Sequence, residues 1–156
     1  MQIEANGEFG WFFRALPVMV AIGVVAYFVM RPAPRPAPSN AAVFGCYAAA
    51  NSPPILLDAA GMHVRQAGYP VIPFHLERSK TGIALTANAP IRADKTTDGY
   101  QFGMNKRGIG WFMHFYRVEN GQTYGVFDDS LLEGFQMLAS DGTYLKYDPS
   151  DAAKCA

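Results

Sequence analysis

The chain has 156 residues, with 13 Lys and Arg against 13 Asp and Glu, and 50% of its residues are hydrophobic. A formal net charge of zero without any block of like charge argues against nucleic acid or an anionic surface as the main partner. The abundance of Phe and Tyr excludes a disordered chain over the C-terminal part.

The first element in chain order is an apolar run. Residues 15–30 (ALPVMVAIGVVAYFVM) carry no charge, and Trp11, Phe12 and Phe13 extend the run to about 20 residues, or roughly 30 Å of helix. That length predicts a single transmembrane pass. Arg14 lies near one end, where its side chain can snorkel, Trp11 marks that interface, and Tyr27 and Arg31 mark the other. Pro17 falls in the first turn of the apolar segment, where a missing N–H costs little. A buried core helix would show a polar face, and this segment has none. A cleaved signal peptide would need a basic start, whereas MQIEANGEFG carries Glu4 and Glu8, so residues 1–30 are expected to be a retained N-terminal tail and anchor. Arg31 and Arg35 against Arg14 and the amino terminus lean toward a cytoplasmic C-terminal domain, but the cysteines lean the other way. The expectation is a domain on the exoplasmic or periplasmic side.

Residues 31–42 read as a linker. RPAPRPAP (31–38) fixes φ at alternate positions and removes donors, which predicts a polyproline II spacer of roughly 25 Å. The remaining 43–156 should form one domain, where ten Lys and Arg face eleven Asp and Glu. Short segments separated by turn residues, with no convincing helical period, predict an all-β fold. Strands are expected over 43–49, 55–57, 62–65, 71–77, 83–87, 91–92, 100–105, 110–118, 123–127, 135–139 and 143–147. Asn120-Gly121 and Asp141-Gly142 predict tight hairpins, and 58–61 and 80–82 further reversals. Consecutive hairpins predict an antiparallel meander that closes into a small barrel or sandwich and so protects its edges. Ser130 and Glu133 have capping-box spacing, but Gly134 and the Asp141-Gly142 turn favour a turn followed by a strand over a helix at 130–139.

Cys46 and Cys155 lie at the two ends of this domain. A disulfide between them would close a loop of about 110 residues and stabilise the fold by roughly 4–5 kcal/mol, and it implies an oxidising compartment. A lipid-attachment site at Val43-Phe44-Gly45-Cys46 fits poorly, because Phe44 is bulky and prolines separate it from the apolar run.

His63, His75 and His114 are scattered, with Glu77 sharing the alternation of His75, and no metal site or cofactor is expected from them. There is no G-x-S-x-G motif. Adjacent Asp128 and Asp129 would point to opposite faces in a strand or act as turn caps. Lys106 and Arg107 fall in a Gly-rich loop that reads as a solvated turn. Enzymatic activity is therefore not expected. The segment 111–117 (WFMHFYR) places large groups on both faces, with Trp111, Met113 and Phe115 one way and Phe112, His114 and Tyr116 the other. It must be covered on both sides or offer a contact surface, and Trp111, Phe112, Phe115 and Tyr116 are the candidate ligand or partner contacts.

The resulting expectation is a membrane-anchored accessory or scaffold protein that presents a β-domain to a protein partner. The alternative is a ligand-binding barrel with lipocalin-like architecture. Gly45-x-Tyr47 resembles the Gly-x-Trp of lipocalins over only two residues, with Trp absent, so no family is assigned. A hydrolase assembled from loops has no motif behind it.

Overall fold

The computed structural model describes residues 9–31, 36, 38–104 and 112–156, and the side chains of its first helix from Leu16 onward. Most of the Pro-rich spacer, the 1–8 tail, Trp111 and the Lys106-Arg107 loop lie outside the described residues, as do the side chains of Trp11 and Arg14. The chain divides into two compact units, Met1–Pro36 and Ala37–Ala156.

The first unit contains α1 (Phe9–Met30), 22 residues long with Pro17 inside it. Its described side chains are uncharged and mostly exposed, from Leu16 at 62% to Met30 at 80%. Among the described residues, no helix is long and apolar enough to cross a membrane.

The second unit is antiparallel β. Its strands are β1 (Gly45–Ala48), β2 (Ile55–Leu57), β3 (Met62–Val64), β4 (Phe74–Ser79), β5 (Gly82–Ala87), β6 (Ile91–Thr96), β7 (Gly99–Met104), β8 (Phe112–Glu119), β9 (Gln122–Gly125), β10 (Gly134–Leu138) and β11 (Tyr144–Ser150). Nine of them form one sheet in the order β3-β2-β1-β11-β10-β8-β5-β4, with β9 pairing beside this path to β8. Backbone bonds between Met62 and Ile72, at 2.8 and 3.0 Å, join β3 to the segment that leads into β4. The sheet thus closes nearly into a barrel, and the expected meander is present, with the β6–β7 hairpin inserted between β5 and β8.

Alternation decides which side chains fill it. Phe74 and Leu76, Met113 and Phe115, Phe135 and Met137, and Leu145 and Tyr147 all belong to one buried cluster. Phe135 stacks on Tyr147 with centroids 5.2 Å apart, and its ring also meets Tyr47 at 5.0 Å and Phe115 at 5.9 Å. The interior is occupied by these side chains. One end is closed by the β6–β7 hairpin, whose Ile91, Ala93 and Phe102 join the same core. Tyr100 N donates to Asn51 O at 2.7 Å and Ser140 N to Ala93 O at 2.9 Å, tying the hairpin to the turns around it. Toward the other end Val43 and Val126 are buried, and Ile83 N donates to Val126 O.

Several local expectations shift. The chain over 40–43, part of it assigned to the linker and part to the first strand, is instead a 3-10 turn (Asn40–Val43) capped by Ser39, with Val43 buried. The Asn40 side chain donates to Phe74 O and accepts from Leu76 N, both at 3.1 Å, which docks this turn on β4. The segment 91–92 extends to the whole of β6. Residues 130–139 form a short 3-10 turn (Asp129–Leu131) followed by β10, as the glycine and the hairpin predicted. Asn120 and Gly121 both have positive φ, 51° and 76°, as a tight primed turn requires.

Cys46 and Cys155 are joined by a disulfide, with Cα atoms 5.8 Å apart across a separation of 109 residues. Cys155 lies in a C-terminal 3-10 turn (Ala152–Cys155) capped by Asp151.

Candidate functional site

The strands β11, β10 and β8 lie side by side, with Gln136 opposite both Lys146 and His114, and Gly134 opposite Tyr116. Because Met113, Phe115, Phe135, Met137, Leu145 and Tyr147 point into the core, the alternate residues face outward: Phe112, His114 and Tyr116, then Gln136, then Tyr144, Lys146 and Asp148. The β8–β9 hairpin borders this face, with Lys146 Nζ donating to Thr123 Oγ1 at 3.2 Å. A groove of about 310 Å³ results, lined by Thr81, His114, Tyr116, Thr123, Tyr124, Gln136 and Tyr144 together with Phe115 and Gly125.

Its floor is fixed. Tyr116 is 5% exposed, its hydroxyl donates to the Asp148 carboxylate, and Lys146 Nζ lies 5.5 Å from its ring centroid. Burial, reinforced by the Asp148 carboxylate, pushes the Tyr116 phenol well above its ordinary range, so it stays a neutral donor. Gly134 is needed beside it, because a Cβ there would overlap Tyr147 O and crowd Asp148 Oδ1, the acceptor of the Tyr116 hydroxyl. The walls are more open. Tyr144 is 58% exposed and Tyr124 43%, with the Tyr124 hydroxyl donating to Gln122 Oε1 at 2.6 Å. His114 Nδ1 lies 3.4 Å from Thr81 Oγ1.

The four candidate contacts separate. Phe112, 51% exposed, and Tyr116 belong to this outer face, whereas the Phe115 side chain is fully buried in the core. Trp111 lies outside the described residues. Thr123, Tyr124, Gln136 and Tyr144 were missed, although the Asp141-Gly142 hairpin signal fixes a register in which Tyr144 opposes Leu138 and Lys146 opposes Gln136.

The remaining candidates serve local structure. Asp58 accepts from His63 Nε2 at 3.0 Å and from the N–H groups of Ala60 and Gly61, closing the β2–β3 turn. The His63 hydrogen bond, then those N–H groups, holds the Asp58 carboxyl below its usual range. His75 bonds Asn88 and approaches Glu77 at 3.9 Å. Asp128 caps the turn at Ser130, while Asp129 pairs with Arg78 at 2.5 Å. Among the described residues, no group of three His, Cys, Asp or Glu is placed to hold a metal ion. The chain matches no family model, no curated protein and no solved structure.

Proposed function

We propose that this is a membrane-anchored, non-catalytic accessory or scaffold protein, in which α1 is a retained single-pass anchor and the barrel presents its outer wall to a protein partner. The observation that carries the reading is the contrast between the two units. Over residues 16–30, the part of α1 whose side chains are described, the helix is uncharged and mostly exposed. Such a surface is unfavourable in water at about 25 cal/mol per Å² and calls for lipid. The barrel, in contrast, has a packed interior and an outer wall with exposed aromatic groups. A filled core supports presentation at the surface over a lipocalin-like internal ligand site. The Cys46–Cys155 disulfide supports an exoplasmic or periplasmic β-domain.

The expected result of alkaline carbonate extraction is retention of the intact chain in the membrane fraction, with the native N-terminus before residue 31. Release into the supernatant, or a mature N-terminus after Met30, would remove the anchor. Gentle solubilisation should bring a second protein through purification, and an isolated monomer would count against the scaffold role.

A further inference from the structure

We propose that the groove on the β8–β10–β11 wall is a binding site for a neutral saccharide, a property independent of the scaffold reading. The lining has a particular chemistry: three tyrosines, an amide, an imidazole and two threonines, with no carboxylate, ammonium or guanidinium among the groups that line it. Two charged residues of the same outer face make contacts within the wall, Lys146 with Thr123 and the Tyr116 ring, and Asp148 with the Tyr116 hydroxyl. An ionic ligand would therefore find no counter-charge among the lining groups themselves, with the Lys146 ammonium only at the border. A purely apolar ligand would cover the Gln136 amide without offering it a hydrogen bond, which costs free energy.

A sugar ring satisfies both requirements. Its C–H face packs on a tyrosine ring, and its hydroxyls exchange hydrogen bonds with amide, hydroxyl and imidazole groups. Tyr144 and Tyr124 supply exposed rings at little rotamer cost, and the bond from Tyr124 to Gln122 holds one of them in place before binding. Gln136, half-buried and opposite His114 on β8, offers both donor and acceptor atoms. A volume of about 310 Å³ is at the small end for ligand sites and suits about one or two sugar rings. The groove is also rigid at its edge, where Gly125 packs so closely on Thr81 O that a Cβ would overlap it.

The test uses the full chain in a phosphocholine detergent, whose headgroup carries no sugar, with cellotriose and tri-N-acetylchitotriose as probes. Saturation-transfer NMR should show saturable binding to at least one of them, with Kd of about 0.1–5 mM. Tyr144→Ala and Gln136→Leu should each weaken it about ten-fold, while Tyr144→Phe, which keeps the ring, should stay within about three-fold. Tyr144 is exposed enough that its replacement leaves the core intact, and circular dichroism checks this. No transfer to either probe at about 20 mM, or full binding retained in Tyr144→Ala, would overturn the site. Neither outcome depends on membrane retention or on a protein partner, so this inference and the scaffold reading fail separately.

Discussion

Tyr147 lies where the core meets the capped end of the barrel: its ring stacks on Phe135, and its hydroxyl reaches Ser52 Oγ at 2.5 Å and Pro53 O at 3.2 Å. Burial raises its pKa and that of Tyr116, and it pushes the Tyr69 phenol up to about 12. A phenol whose folded pKa exceeds its unfolded value near 10 contributes stability that is complete below about pH 10 and is lost as pH rises through the folded value. Stability should thus fall above about pH 10, and absorbance titration should show these tyrosines ionising only as the protein unfolds. Early ionisation of all tyrosines in the folded state would contradict the burial. Phe135, in contact with three aromatic rings and without exposed surface, is the residue whose truncation should hurt most. Phe135→Ala is expected to cost about 3–5 kcal/mol in denaturant unfolding, and a cost below about 1 kcal/mol would mean the core collapses around the gap.

At the scale of elements, two amide side chains stand in for missing strands. Asn40 bonds the backbone of β4 at Phe74 and Leu76, while Gln66 donates to Phe102 O at 2.8 Å and accepts from Phe102 N at 2.7 Å on β7. Each satisfies one N–H and one C=O on a strand edge that would otherwise be open to pairing with another chain. Asn40→Ala and Gln66→Ala should each lower stability by about 1–2 kcal/mol and speed amide exchange at Leu76 and Phe102 respectively. Unchanged exchange at those two amides would show that water replaces the side chains at no cost. The β6–β7 hairpin also had a readable signal, since Asp98-Gly99 is a turn dipeptide and Gly99 has φ of 126°. What its sequence lacks is any statement of where the hairpin goes. Its place over the barrel end rests on long-range bonds from Gln66, Asn51 and Ser140.

For the whole β-unit, the disulfide ties its first strand to its last turn across 109 residues. Chain entropy predicts that reduction lowers stability by up to about 4–5 kcal/mol, measured as a shift in the guanidinium midpoint with and without reductant. An unchanged midpoint would mean that closure of the sheet alone holds the ends together. The bond joins ends that the barrel already makes neighbours, because β1 pairs with β11 through Cys46 and Ser150.

The local grammar of this protein was written in its sequence. Glycine and asparagine at turn positions, alternation along the strands and the loss of helical period after residue 43 together determined an antiparallel β-domain and most of its hairpins, because these depend on φ preferences and side-chain period alone. Tertiary structure decided the rest. Alternation along 111–117 separates two faces without saying which is inside, and only closure of the sheet buries Phe115 and leaves Phe112 out. The groove likewise depends on register between β8, β10 and β11 and on a hairpin bordering them, contacts between residues distant in sequence that no local preference encodes. Whether the barrel held a cavity was equally illegible, since filling depends on the summed volume of Phe115, Phe135, Met113, Met137 and Tyr147 against a diameter that only the closed strand order fixes.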